Sequence, residues 1–295
     1  MRPIILTDSC ADWNDGFYKD NDIERIKLTY IQDGQASNDL YDNSIDEETD
    51  SFYEKMRNGA RFNTSQVTSS VFYNVFSNLA KEERPIIYIA FSSALSSTYN
   101  SACSAVQMVQ EEVPSVDITV IDSKCASTGQ GMMVYHANNL RNDGKSKEEI
   151  VEWVEENKMR MNHWVKLHDL NYLRRSGRVS APAAFIGTVL DIKPLLWMDE
   201  NGFMATVDKE RGRNKILKAI FNKTEERIEK PEEQDICISY GDCLEDALML
   251  KEMVEQKIPV KNILMSRIGP IIGSHTGPGV LSIYFLGKDR TKYRP

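Results

Sequence analysis

The sequence predicts an α/β protein of two domains: an N-terminal three-layer α/β/α half on a parallel sheet and a C-terminal α/β half on a mixed sheet. Three observations predict it. The 295 residues are about twice the usual length of one domain. Short Ile- and Val-rich runs alternate with helical patterns in the first half, as buried parallel strands joined by right-handed crossovers do. In the second half Asn201-Gly202 joins two apolar runs, a hairpin signal that brings in antiparallel pairing.

The elements follow in order. Strand runs fall at 3–6, 86–91 and 116–121, and helical patterns at 97–110 and 128–140, the second stopped at Asn142-Asp143-Gly144. Ser146 and Glu149 form a capping box opening an amphipathic helix with Ile150, Val151 and Val154. That helix marks the junction and sets the domains at 1–158 and 159–295. Beyond it, runs 194–198 and 203–207 flank a turn at 199–202. Ile236, Ile238 and Tyr240 alternate with smaller residues, and Asp242 and Glu245 suggest a second capping box, for a helix with Leu248, Leu250 and Met253. A final strand at 280–286 follows a glycine-rich loop at 269–279 that encloses His275.

Bulk chemistry excludes several functions. With 41% apolar and 27% charged residues the chain has ordinary globular composition. A net charge of −8 opposes binding to nucleic acid or anionic membrane, and the basic end KDRTKYRP reads as a solvated tail. Five cysteines, odd in number and without C-x-x-C spacing, fit reduced thiols better than a disulfide framework or zinc site. The first apolar run is too short for a secretion signal, and none approaches the roughly 20 residues of a membrane span. A cytoplasmic location without membrane insertion is expected.

Ligands of open α/β sheets gather at the carboxyl ends of strands, and here those ends share a chemistry. They carry Thr7-Asp8-Ser9, Ser92-Ser93 and Asp122-Ser123, with Ser127 and Thr128 just beyond. Each alone suits a helix N-cap. Together, with Ser96, Ser97 and Thr98 at a strand-to-helix turn, they suit an anion such as a carboxylate or phosphate. Thr64-Ser65 adds hydroxyls, His275 sits in its glycine-rich cradle, and Arg174, Arg175, Arg178, Arg211 and Arg213 offer bidentate contacts to an anionic partner.

IILTDSCAD, TSQ at Thr64, IAFSSALSSTYNSA, VIDSKCASTGQG, DLNYLRRSGRVS through LDIKPLLWMDENG, and IGPIIGSHTGPGVLSIYFLG occur in this order over nearly the whole chain. In them the sequence resembles the DegV family, the fatty-acid-binding subunits of bacterial fatty acid kinase. The resemblance implies a non-catalytic protein that holds a long-chain fatty acid between its domains and presents the carboxylate to a separate kinase catalytic subunit for acyl-phosphate formation. No further cofactor or metal is implied. Thr64 and Ser93 would bind the carboxylate, with Ser65, Ser92, His275 and Thr276 beside them, and hydroxyls and a helix terminus rather than a lysine would hold the anion. Arg178 and Arg211 would serve the kinase, so that binding and presentation separate by mutation. Val67 after TSQ and Ser97 before Thr98 depart from the family's usual Pro and Gly, which bears on affinity and chain-length detail. Phe185, Ile186, Val189, Leu190 and Met204 are candidates for an acyl tunnel. Two other functions fit the residues: a magnesium-dependent hydrolase or phosphatase using Asp8 with Asp12, and a regulatory protein whose lipid is structural.

Overall fold

The structure, a computed structural model, describes residues 1–13, 15–38, 46–179 and 192–293. Its strands are β1 (Ile4–Asp8), β2 (Ile23–Ile26), β3 (Thr29–Gln32), β4 (Gln35–Asn38), β5 (Phe62–Ser65), β6 (Ile86–Ala90), β7 (Ile118–Asp122), β8 (Met161–Lys166), β9 (Ile192–Met198), β10 (Met204–Arg211), β11 (Asp235–Gly241), β12 (Asn262–Arg267) and β13 (Val280–Leu286). Its helices are α1 (Asp15–Asp20), α2 (Asp46–Arg57), α3 (Ser69–Leu79), α4 (Thr98–Glu112), α5 (Thr128–Asn142), α6 (Lys147–Asn157), α7 (Asn171–Ser176), α8 (Arg213–Arg227), α9 (Leu244–Lys257) and α10 (Pro270–Thr276).

The first sheet has the order β2-β1-β6-β7 and is parallel throughout, with Ile5 opposite Ile23 and Ile87. Every residue of β1 and β6 is buried, because helices cover both faces, and this is why the runs are continuously apolar. Helix α5 packs on β1 and β6 and also on β8, β11 and β13. Met132, Met133, Val134 and Ala137 are therefore all buried, and the helix joins the two halves.

The second sheet runs β10-β9-β8-β13-β11-β12. It is antiparallel except for the β11–β12 pair, which agrees with the mixed sheet expected. Helices α8 and α9 close its outer face on a core that includes Trp164, Ile216, Ile220, Leu250 and Phe285. A third, antiparallel sheet, β4-β3-β5, was not expected. Strands such as QASN and FNTS are four residues of mixed polarity and carry no periodic signal.

Three further expectations are corrected. Asp242 does not cap α9, whose N-cap is Cys243 with no side-chain bond; Asp242 instead pairs with Arg57 of α2. The glycine-rich 269–279 stretch contains a helix, α10, opened by Pro270 at its first turn and ended at Gly277, whose φ of 77° is the left-handed region that glycine tolerates. The basic tail is only partly solvated: Lys288 and Lys292 are exposed. Arg290 is fully buried and Tyr293 nearly so, with the Tyr293 ring edge-on to Trp197 at 4.5 Å. The Ser146–Glu149 capping box is present in both directions, and the five cysteines are free. No helix among the described residues is long and apolar enough to cross a membrane.

Candidate functional site

A cavity of about 550 Å³ lies where the carboxyl ends of the parallel sheet meet the inner face of the mixed sheet. Strand alternation decides which residues line it. On β8 these are His163 and Val165, and on β13 Val280, Ser282 and Tyr284. Leu28, Phe91, Leu95, Met204, Ile268 and Ile271 make much of the remaining wall apolar. Ser93 reaches it from the loop after β6, Thr64 and Ser65 from β5, and His275 and Thr276 from the last turn of α10.

Thr64 Oγ1 and His275 Nε2 are 2.7 Å apart and share a hydrogen bond. Burial, and then the neighbouring Arg178 guanidinium, push the His275 imidazole down to about 4, so it is neutral at pH 7. Arg178 lines the same cavity. Its Nε donates to the Leu95 carbonyl at 3.3 Å and its terminal nitrogen to the Ser176 carbonyl, which fixes the guanidinium beside His275. Arg178 and the hydroxyl residues thus converge on one site, contrary to the expectation that they lie apart.

Ser93 has a more elaborate setting. Its hydroxyl donates to Asp122 Oδ2 and accepts from Lys124 Nζ at 3.1 Å, and Lys124 pairs with Asp122 at 2.8 Å. Burial alone would raise the Asp122 carboxyl, but Lys124, the Ser93 hydroxyl and two backbone N–H groups outweigh it and hold it below the usual value. The expectation of a site without lysine is therefore corrected. Lys124 lies inside VIDSKCASTGQG, just beyond the strand-end Asp122.

The other expected residues divide. Ser65 lines the cavity and is exposed, whereas Thr276 lines it with its hydroxyl donated to the Ile272 carbonyl at 3.0 Å. Ser92 stands behind the wall: it is fully buried and donates to the Gly202 carbonyl at 2.7 Å. It ties the hairpin turn of the second half to the first sheet. Arg211 is exposed at the far end of β10 from Met204, roughly 23 Å along the strand. Phe185, Ile186, Val189 and Leu190 lie outside the described residues.

Neither aspartate of the hydrolase alternative is available for chemistry. Asp8 is fully buried and accepts from the Tyr88 hydroxyl, the Gln130 amide and the backbone N–H groups of Cys10 and Phe91. Burial raises its carboxyl, against those bonds. Asp12 accepts from the Ser127 hydroxyl and the Gly269 N–H, which fastens the start of α5 and the entry to α10. Among the described residues no group of three or more acidic, His or Cys side chains is placed to hold a metal.

Fold and cavity together define an α/β protein whose two main sheets enclose a chamber with apolar and hydroxyl-bearing walls and a Thr–His–Arg cluster among them. The model of the family described as "Uncharacterised protein, DegV family" matches residues 4–288. A DegV domain-containing protein of Clostridium perfringens is 44% identical over 286 residues, 96% of this chain and 97% of that protein. The chain belongs to the DegV family. The structure of a DegV-family protein from Thermus thermophilus, described for fatty acid binding, superposes with a TM-score of 0.85 at 28% identity, covering 97% of this chain and 100% of that one. DegV of Bacillus subtilis, described as a fatty acid binding protein, gives 0.83 at 27% identity over 98% and 100%.

Proposed function

We propose that this protein binds one long-chain fatty acid in the cavity and presents its carboxylate to a separate fatty acid kinase catalytic subunit, in the cytoplasm and without catalysing a reaction itself. The observation that carries this reading is the Thr64–His275 pair with Arg178 beside it, set in the wall of a cavity of about 550 Å³ that also has an apolar side made by Leu28, Phe91, Leu95, Met204, Ile268 and Ile271. Cavities of roughly 300–1,000 Å³ with few polar groups suit small apolar ligands with one polar end. The acyl chain lies along the apolar wall between domains 1–158 and 159–295. Thr64 and Ser93 donate to the carboxylate, His275 orients Thr64, and Ser65 and Thr276 border the opening.

Neutral His275 and Arg178 hold the head group, with Lys124 bonded to Ser93 behind it, without enclosing it in cations, which leaves an oxygen for phosphoryl transfer. Arg178 offsets charge at the head group, and exposed Arg211 contributes to the kinase surface. The test measures palmitate affinity and acyl-phosphate formation with a cognate kinase subunit on the same preparations of Arg178→Ala and Arg211→Ala. Arg178→Ala should lose both, and Arg211→Ala only phosphorylation. Wild-type protein that binds palmitate but supports no acyl phosphate with any cognate kinase would remove presentation from the proposal.

A further inference from the structure

Ser93 has one hydroxyl proton, and it is already committed. Its oxygen donates to Asp122 Oδ2 and accepts from Lys124. Asp122 holds more donors than that: Oδ1 accepts from the N–H groups of Ser93 at 3.1 Å and Lys124 at 3.2 Å, and Oδ2 also faces the Lys124 ammonium at 2.8 Å.

A fatty acid carboxylate only accepts hydrogen bonds. With its proton on Asp122, Ser93 has nothing to give that ligand. Binding through Ser93 requires the hydroxyl to turn from Asp122 to the ligand, while Lys124 and the two N–H groups keep Asp122 satisfied. Two carboxylates then flank one hydroxyl, within about 5 Å of each other at normal hydrogen-bond lengths, and Lys124, in contact with both Ser93 and Asp122, is placed to offset their repulsion, in addition to the charge Arg178 supplies at the head group.

We propose that Asp122 and Lys124 are positioning residues that set the carboxylate affinity of this site. Asp122 competes with the ligand for the Ser93 proton, and Lys124 makes the second negative charge tolerable. This inference rests on the fatty-acid reading and adds to it a charge-specific control. The family motifs that aligned the hydroxyls do not by themselves assign it, because Ser93 is the member of the trio that lines the cavity, while Asp122 and Lys124 act through it.

The test is calorimetric titration of palmitate and of hexadecanol, its uncharged counterpart, into wild type, Asp122→Asn, Lys124→Met and the double variant. Asparagine keeps an oxygen for the two backbone N–H groups but places an NH2 where Oδ2 accepted, so the Ser93 proton is freed. Palmitate should bind Asp122→Asn about fivefold tighter and Lys124→Met about fivefold weaker, the scale of a partly exposed charge contact. The double variant should return near wild type, Lys124→Arg should restore affinity, and hexadecanol should be indifferent to all of them. Lys124 is partly exposed, so its variants keep the test open should Asp122→Asn not fold. Weaker palmitate binding by folded Asp122→Asn, or equal changes for both ligands, would overturn the inference while leaving the fatty-acid reading in place. Wild type that binds neither ligand would sink that reading and this inference with it.

Discussion

Replacing Arg290 with methionine removes a cation that the sequence places in a basic tail and the structure places at the centre of the molecule. The guanidinium is fully buried and donates to the carbonyls of Met198 and Asp199 at 3.1 Å, Lys124 at 3.0 Å and Lys158 at 2.9 Å. It therefore joins the hairpin turn, the loop after β7 and the end of α6. A hydrogen bond from a charged donor contributes about 1.5–3 kcal/mol. Against the loss of several, the variant is spared the desolvation of a buried cation, itself several kcal/mol. The remainder is a destabilisation of about 3 kcal/mol, a large part of a typical domain's roughly 5–15. Lysine should not rescue it, since one ammonium cannot reach carbonyls spread around a planar fork. Equilibrium urea unfolding reads the change as a lower midpoint at constant slope. A midpoint equal to wild type would refute the network's contribution.

Other predictions concern the cavity and its supports. Thr64→Val and Ser93→Ala should each weaken palmitate binding by about 1–3 kcal/mol, measured by titration; unchanged affinity in both would remove these hydroxyls from the head-group site. Burial depresses His275 to about 4, so the folded chain stays neutral there while the unfolded chain takes up a proton below about pH 6.5. Stability is full above the unfolded value and falls below it, by about 2 kcal/mol between pH 7 and pH 5 for this histidine. Urea midpoints at both pH values should drop more for wild type than for His275→Gln, and equal drops would contradict the depressed value. Gly202 and Gly144 share a φ of 80°, but a Cβ on Gly202 would lie 2.4 Å from Ser92 Oγ, whereas one on Gly144 meets nothing within 4 Å. Gly202→Ala should therefore cost at least about 1 kcal/mol more than Gly144→Ala; equal costs would show that the hairpin turn does not press on Ser92.

The parts of the fold that local chemistry dictates were readable from sequence. Buried β-branched runs gave β1, β6 and β7, and Asn201-Gly202 gave the β9–β10 hairpin, because burial on both faces and a positive-φ turn each leave a local mark. Helix α10 was missed because glycines and prolines argue for a loop, yet here Pro270 opens the helix and Gly277 ends it. Arg290 was misplaced because its partners are carbonyls from distant segments, which no spacing rule records. The site shows the same division. Thr64 and His275 are 211 residues apart, so only the family motifs linked them. Ser92 and Ser93 look alike in sequence, and only the structure separates the one that holds Gly202 from the one that faces the cavity. Lys124 follows the acidic strand end without any periodic signal, and only its reach to Ser93 marks it out.

The central claim, that the cavity between the sheets holds a fatty acid, is tested most directly by native mass spectrometry of protein purified without denaturation. The protein should show a mass excess equal to one long-chain fatty acid per chain, lost on denaturation and regained when palmitate is added to stripped protein. A mass equal to the bare chain, with no gain in mass or melting temperature on adding palmitate, would contradict it.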